Sequence, residues 1–268
     1  MNQFERSNTG AVAGVYFDDA LADAGEWIVK RTGLPVLQQL PERGLYLHFN
    51  AQGLRLCQLV EGLKPVSVQA DFIAGKTGFR LQQSVGRHQP IAKAVGAHKK
   101  LPLHIIDLTA GLGRDAMVLA MIGCHVTLFE RHPVIAVLLQ DALQRAESDY
   151  RLATVIEQNI DFHQADALPW LLANITQLER PVVYYDPMFP KREKSSLVKK
   201  EMQMFQHLVG DDEDVAETFA ALMQLEVSRI VVKRPRLAPL VSAGAPSHQI
   251  ISKTTRWDIY LPSSGKGA

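Results

Sequence analysis

Residues 103–116 read Leu-His-Ile-Ile-Asp107-Leu-Thr-Ala-Gly111-Leu-Gly113-Arg114-Asp115-Ala116, and this stretch decides the fold. A short apolar run of strand length stops at a carboxylate, a glycine-rich turn follows, and helix-forming residues begin at once. Glycines at such a turn let backbone approach a ligand closely and open the next helix. The spacing Gly111-x-Gly113-x-x-Ala116 also satisfies the dinucleotide fingerprint, with Glu130 near the offset of about 20 residues expected for a ribose contact. An NAD-dependent oxidoreductase is therefore an alternative at this point. Against it, Asp107 suits a cationic ligand better than a pyrophosphate. Asp115 favours a helix N-terminus but would repel phosphate.

From this stretch onward, strand-length and helix-length segments alternate. Apolar runs at 103–107, 125–129, 160–164, 182–186 and 229–233 are separated by helical patterns at 115–122, 133–147, 168–178, 197–209 and 215–225. This alternation predicts a mostly parallel sheet with helices on both faces, and ligands gather at the carboxyl ends of its strands. No helix separates 248–252 from 256–261, so a terminal antiparallel hairpin is expected there. Ahead of residue 100, an amphipathic stretch at 18–32 predicts a helix, two alternating runs at 44–50 and 53–59 predict a hairpin, and 66–72 a third strand. The expected organisation is an N-terminal α+β lobe over 1–74, a glycine-rich basic connector over 75–100, and an α/β domain over 101–268.

At 268 residues and 47% hydrophobic, the chain can bury one full domain and a smaller lobe. It has no apolar run long enough to span a membrane and no signal pattern at its start, so a cytoplasmic protein is expected. Cys57 and Cys124 are too few for a disulfide framework and wrongly spaced for zinc. The net charge of +1 hides an uneven distribution. Cations without carboxylates occupy 72–106 and 227–257, and residues 191–200 carry five cations against Glu193. Acidic residues collect at 211–217. Basic blocks beside candidate site loops favour a polyanionic partner such as RNA. Lys233-Arg234-Pro235-Arg236 fits either an RNA clamp or a partner for the acidic block.

The fourth strand of the α/β pattern ends in Asp186-Pro187-Met188-Phe189. A carboxylate acceptor, a carbonyl on a residue without N–H, and an aromatic ring can together hold a planar exocyclic amine. Carboxylates also end the earlier strands: Asp107, Glu130 and, after Ala165, Asp166. S-adenosylmethionine (SAM) presents an amino group, a sulfonium, ribose hydroxyls and an adenine amine, and so asks for such a series. Asp166 is equally an ordinary helix cap.

In order, Asp107 to Ala116, Glu130-Arg131, Ala165-Asp166 and Asp186 to Phe189 resemble the motifs of class I SAM-dependent methyltransferases, which implies a Rossmann-like sheet. Asp186 to Phe189 is similar to the (Asp/Asn)-Pro-Pro-(Phe/Tyr) box of amino-group methyltransferases, with Met188 replacing the second proline. Thr-Ala-Gly-Leu-Gly-Arg-Asp-Ala at 109–116, Asp-Pro-Met-Phe-Pro at 186–190, Leu-Val-Lys-Lys-Glu-Met at 197–202 and Val-Val-Lys-Arg-Pro at 231–235 closely resemble the RsmJ family of bacterial small-subunit (16S) ribosomal RNA guanine-N2 methyltransferases. The resemblance implies that Arg114, Asp115, Glu130, Arg131, Ala165, Asp166 and Asp186 line a SAM pocket with Asp107, Gly111 and Gly113. It implies that Asp186 and the Pro187 carbonyl accept hydrogens from guanine N2 while Phe189 stacks on the ring. No metal is required. Lys191, Arg192, Lys194, Lys199 and Lys200 are expected to hold RNA, either as 16S ribosomal RNA or in the small ribosomal subunit. Methylation of adenine N6 or of a protein glutamine is an alternative, because such a box serves planar amines generally. A non-catalytic RNA-binding module is a further one.

Overall fold

The computed structural model describes residues 12–18, 21–60, 62, 64–74, 78, 81, 86–188, 204, 208–209, 214–242 and 244–262. In chain order its elements begin β1 (Val12–Phe17), α1 (Glu26–Thr32), β2 (Val36–Leu37), β3 (Gly44–Asn50), β4 (Gly53–Leu59) and β5 (Val66–Val68). Next come α2 (Pro90–Val95), β6 (His104–Asp107), α3 (Arg114–Ile122), β7 (His125–Phe129), α4 (Pro133–Ala146), α5 (Ala153–Asn159) and β8 (Ile160–His163). The rest are α6 (Ala167–Asn174), β9 (Val182–Tyr185), α7 (Val215–Leu222), β10 (Arg229–Pro235), β11 (His248–Ile251) and β12 (Thr255–Tyr260).

The chain divides into two compact units. The first takes its described residues from 1–70, 132–145 and 188–212. Its sheet runs β2-β1-β3-β4-β5, with β1 parallel to both neighbours and the rest antiparallel. The expected hairpin is β3 and β4, closed where Asn50 faces Gly53. Val15, Leu47, Leu54, Leu56 and Ile28 form its fully buried interior. β1 has no strand signature because Gly14 interrupts its alternation. That glycine is required: a Cβ there would lie 2.5 Å from the Pro35 carbonyl oxygen.

Residues 133–145 of α4 belong to the same unit. Asp141 is buried, and its Oδ2 accepts the Leu54 N–H at 3.1 Å and Arg145 Nε at 2.8 Å. Arg145 also donates to the Ala70 carbonyl. The helix therefore grips the start of β4 through buried polar contacts, which cost more to break than exposed ones.

The second unit, residues 71–131, 146–187 and 213–268, holds a seven-stranded sheet ordered β11-β12-β10-β9-β6-β7-β8. β6 to β10 are mutually parallel, and β12 and β11 close the edge in antiparallel register. This is the expected Rossmann-like sheet with its terminal hairpin. Its apolar layer includes Ile106, Phe129, Leu171, Val183, Phe219, Leu222 and Ile230. β6 lies between β7 and β9, so the chain order reverses there. Such a switch point opens a crevice at the carboxyl ends of the strands.

A helix lies within the expected connector, and one expectation is corrected. The basic connector contains α2, whose Ile91, Ala92, Ala94 and Val95 are buried. A six-residue helix is too short to show a repeating pattern. The cations at 227–257 are mostly internal rather than a free basic surface. Arg229 donates to the Ala94 carbonyl at 2.8 Å, at the carboxyl end of α2. Arg256 is buried against Asp258, which is fully buried, through contacts of 2.7 and 2.9 Å. Arg234 is buried as well.

Candidate active site

The glycine turn is shaped by three strand ends. The Leu108 N–H reaches the Tyr184 carbonyl on β9 at 3.0 Å, and the Ala110 N–H reaches the Phe129 carbonyl on β7 at 2.8 Å. Gly111 and Gly113 follow with φ of 56° and 68°, the left-handed region that favours glycine. A Cβ on Gly111 would meet no heavy atom within 4 Å, so the turn borders open space. Gly113 is the N-cap of α3, which Ala116, Met117 and Leu119 anchor in the core.

Carboxylates converge around this turn. Asp107, at the end of β6, is almost wholly buried, and its Oδ1 accepts the Thr109 N–H at 3.0 Å. Burial pushes its carboxyl up to about 8; the Thr109 hydrogen bond and Lys233 oppose the rise, while Asp115 and Asp186 add to it. Glu130, just after β7, is buried, and its Oε2 accepts the Gly111 N–H at 3.0 Å. The acid at the end of β7 thus holds the glycine turn that follows its neighbour β6.

Asp186 follows β9. Its N–H donates to Thr109 Oγ1 at 2.8 Å, and its Oδ2 accepts from Lys233 Nζ at 2.8 Å. Lys233 Nζ also donates to Asp115 Oδ2 at 2.7 Å. The Tyr184 hydroxyl donates to that same oxygen at 2.8 Å and accepts from Trp257 Nε1 at 3.3 Å. Burial raises the Asp186 carboxyl, with Lys233 opposing and Asp115 adding. Burial alone would lower the Lys233 ammonium, but Asp186 and Asp115 outweigh it and hold it above its ordinary value.

Asp107, Gly111, Gly113, Asp115, Glu130 and Asp186 are therefore brought together at one end of the sheet, with Pro187 buried beside them. Other expected residues have partners or positions of their own. Arg131 donates to Asp214 at 2.7 Å, with both side chains about two-fifths exposed. Asp166 and Ala165 are exposed, and Asp166 caps α6 by accepting the Leu168 N–H at 3.1 Å. Arg114 is exposed on the first turn of α3. Phe189, Lys191, Arg192, Lys194, Lys199 and Lys200 lie outside the described residues.

Two contributors carried no clear sequence signal. Thr109 fixes the Asp186 backbone from 77 residues away in the chain. Lys233 is neither an RNA clamp nor a partner of the acidic block, because its ammonium is taken by Asp115 and Asp186. The available hint was a cation at the end of the apolar run Ile230-Val231-Val232.

The donor set fits SAM. Asp115 and Asp186 share one lysine, with Asp107 near enough to interact with all three, which leaves an excess of acid for a cationic ligand. The open space at Gly111 beside Glu130 gives backbone access for a ribose.

Comparisons with known proteins agree. A family model described as "Putative SAM-dependent methyltransferase" matches residues 28–262. A protein of Thioalkalivibrio sulfidiphilus named ribosomal RNA small subunit methyltransferase J is 43% identical over 247 residues, covering 92% of this chain and 96% of its own length. A protein of the same name from Dechloromonas aromatica is 46% identical, covering 84% of this chain and 91% of its own. The crystal structure of a SAM-dependent methyltransferase from Neisseria gonorrhoeae superposes with a TM-score of 0.71 at 33% identity, covering 93% of this chain and 96% of its own.

Proposed function

This chain belongs to the SAM-dependent methyltransferase family, and we propose that it transfers the methyl group of SAM to the exocyclic N2 of a guanosine in small-subunit (16S) ribosomal RNA. The small-subunit substrate is the one that the names of its relatives carry. The observation that carries the chemistry is the setting of Asp186: a carboxylate after β9, fixed at its backbone by Thr109 and at one oxygen by Lys233, next to the acidic cluster at the glycine turn.

SAM supplies a methyl group already activated on a sulfonium. The chain's own contribution is position. Asp186 and the Pro187 carbonyl accept the hydrogens of the target NH2, which turns the nitrogen lone pair toward the donor, and Phe189 stacks on the base. The carboxylate of Asp186 can then take up the proton that the alkylated amine loses. We assign the cofactor to Asp107, Gly111, Gly113, Arg114, Asp115, Glu130, Arg131, Ala165, Asp166 and Asp186. A paired base is inaccessible, so the target is single-stranded or extruded. The cations Lys191, Arg192, Lys194, Lys199 and Lys200 hold the backbone around it. In this reading residues 1–74 form a lobe, 75–100 a connector and 101–268 the catalytic domain. No helix among the described residues is long and apolar enough to cross a membrane.

The test is transfer from labelled SAM to 16S ribosomal RNA taken from cells that lack this protein, with the product nucleotide identified by mass spectrometry. N2-methylguanosine is expected. Asp186→Ala should abolish transfer while S-adenosylhomocysteine (SAH) still binds, more weakly, through the other assigned residues. Methylation of another base or of protein, or normal transfer by Asp186→Ala, overturns the reading.

A further inference from the structure

We propose that Lys233 is a positioning residue for the transfer, clamping the cofactor-side carboxylate Asp115 and the amine-side carboxylate Asp186 to one ammonium so that the second oxygen of Asp186 faces the target NH2. This rests on the reading of Asp186 given above. The three residues come from three elements, with Lys233 separated from Asp115 by 118 residues and from Asp186 by 47. Lysine has three donors on a compact charge, and two of them are spent here.

The clamp is braced on both sides. Asp115 Oδ2 is held by the Tyr184 hydroxyl as well, which Trp257 Nε1 contacts in turn. Asp186 is held by Thr109 at its N–H and by Lys233 at Oδ2. From the described residues no hydrogen bond reaches its Oδ1. An ionised carboxylate accepts only, whereas a protonated one presents a donor on one oxygen. With Oδ2 accepting from Lys233, a proton on Asp186 would sit on Oδ1 and turn a donor toward the amine, so the acceptor role is served by the ionised, turned carboxylate, and one ammonium secures both.

The charges facing Asp186 are Lys233 and Arg234 from β10, Asp115 from α3, Asp107 from β6 and Tyr184 from β9. Burial and Asp115 disfavour its charge, and Asp186 in turn raises Asp107. Lys233 is the cation in direct contact that opposes them, and Arg234 adds a weaker, more distant effect. Removing Lys233 leaves the acids facing one another across a partly buried site, which drives a proton onto one of them.

The experiment compares wild type, Lys233→Met, Lys233→Arg and Asp186→Asn. Lys233→Gln serves where Lys233→Met does not fold. In ligand-free protein carrying 13C at aspartate carboxyls, the resonance lost in Asp186→Asn reports Asp186. Its titration midpoint should rise by about one unit or more in Lys233→Met and stay near wild type in Lys233→Arg. With SAM and RNA saturating, kcat of Lys233→Met should fall by about tenfold or more at neutral pH and recover as pH rises. The KM for SAM should change less than kcat, and Lys233→Arg should keep the wild-type profile. An unmoved midpoint, or a loss equal at every pH and not relieved by arginine, overturns the proposal. Full methylation by Asp186→Asn instead rejects the role given to Asp186, while the titration still reports on the clamp.

Discussion

The backbone N–H of Gly111 donates to Glu130 Oε2 at 3.0 Å, so the acid at the end of β7 sets the conformation of the turn after β6. Glu130 then has two jobs: holding the turn and, as proposed, receiving the ribose. Glu130→Ala removes both and should weaken SAH binding by about 10- to 100-fold, the loss of a hydrogen bond to a charged group. Glu130→Gln keeps an acceptor for Gly111 and should lose less affinity and melt higher than the alanine variant. Calorimetric titration with SAH decides it, and wild-type affinity in Glu130→Ala would remove Glu130 from the site.

Asp107 makes the site sensitive to pH. Its folded carboxyl is held up at about 8, against an ordinary value of about 4 in the unfolded chain. A raised acid contributes its full stability below the unfolded value and loses it as pH rises through the folded one. Ligand-free wild type should therefore lose more melting temperature than Asp107→Asn between about pH 5 and about pH 9. An ammonium prefers the carboxylate, so the affinity for SAH, whose amino acid end carries one, should climb toward about pH 8 and then level off, with a proton released on binding at lower pH. Calorimetry in buffers of different ionisation enthalpy measures that proton, and an equal pH dependence in Asp107→Asn would contradict the assignment.

How far the sequence could be read follows from how local each signal is. The strands ending at Asp107, Glu130 and Asp186 show as short apolar runs, and the glycine turn lies beside its own strand, so the sheet and most of the acidic cluster were legible. β1 was not, because Gly14 breaks its alternation to make room for the Pro35 carbonyl. Counting cations along the chain misjudged residues 227–257, because Arg229, Lys233 and Arg256 are matched by a carbonyl or carboxylates. Arg229 and Lys233 reach partners far along the chain, and Arg256 faces Asp258 on its own strand. Lys233 in particular shows its role only once β9 and β10 lie side by side.

In the first unit, Asp141→Ala should be strongly destabilising. It leaves the buried Leu54 N–H and the Arg145 guanidinium without their carboxylate, a loss of about 3 kcal/mol by the usual cost of breaking a buried pair. Asp141→Asn keeps an acceptor and should cost roughly half as much. Urea unfolding measures both, and equal stability of the two variants would show that the Leu54 hydrogen bond contributes little.

Two glycines with left-handed φ should separate stability from binding. Gly53 has φ 100°, and a Cβ there would lie 2.4 Å from Arg145 Nε, which Asp141 holds in place. Gly53→Ala must displace that guanidinium and should lower the melting temperature well beyond the backbone cost alone. Gly111 has φ 56° with nothing within 4 Å of an added Cβ. Alanine there costs about 1 kcal/mol of backbone strain, or about 3 °C in a chain of this size. Its methyl, however, stands in the open space beside Glu130 where the ribose is placed, so SAH binding should fall by about tenfold or more. Gly53→Ala is expected to reverse that balance, with a large loss of stability and a smaller loss of affinity. Thermal melts and SAH calorimetry on the two variants provide the comparison, and an undiminished affinity in Gly111→Ala would mean that the cofactor does not pass over the glycine turn.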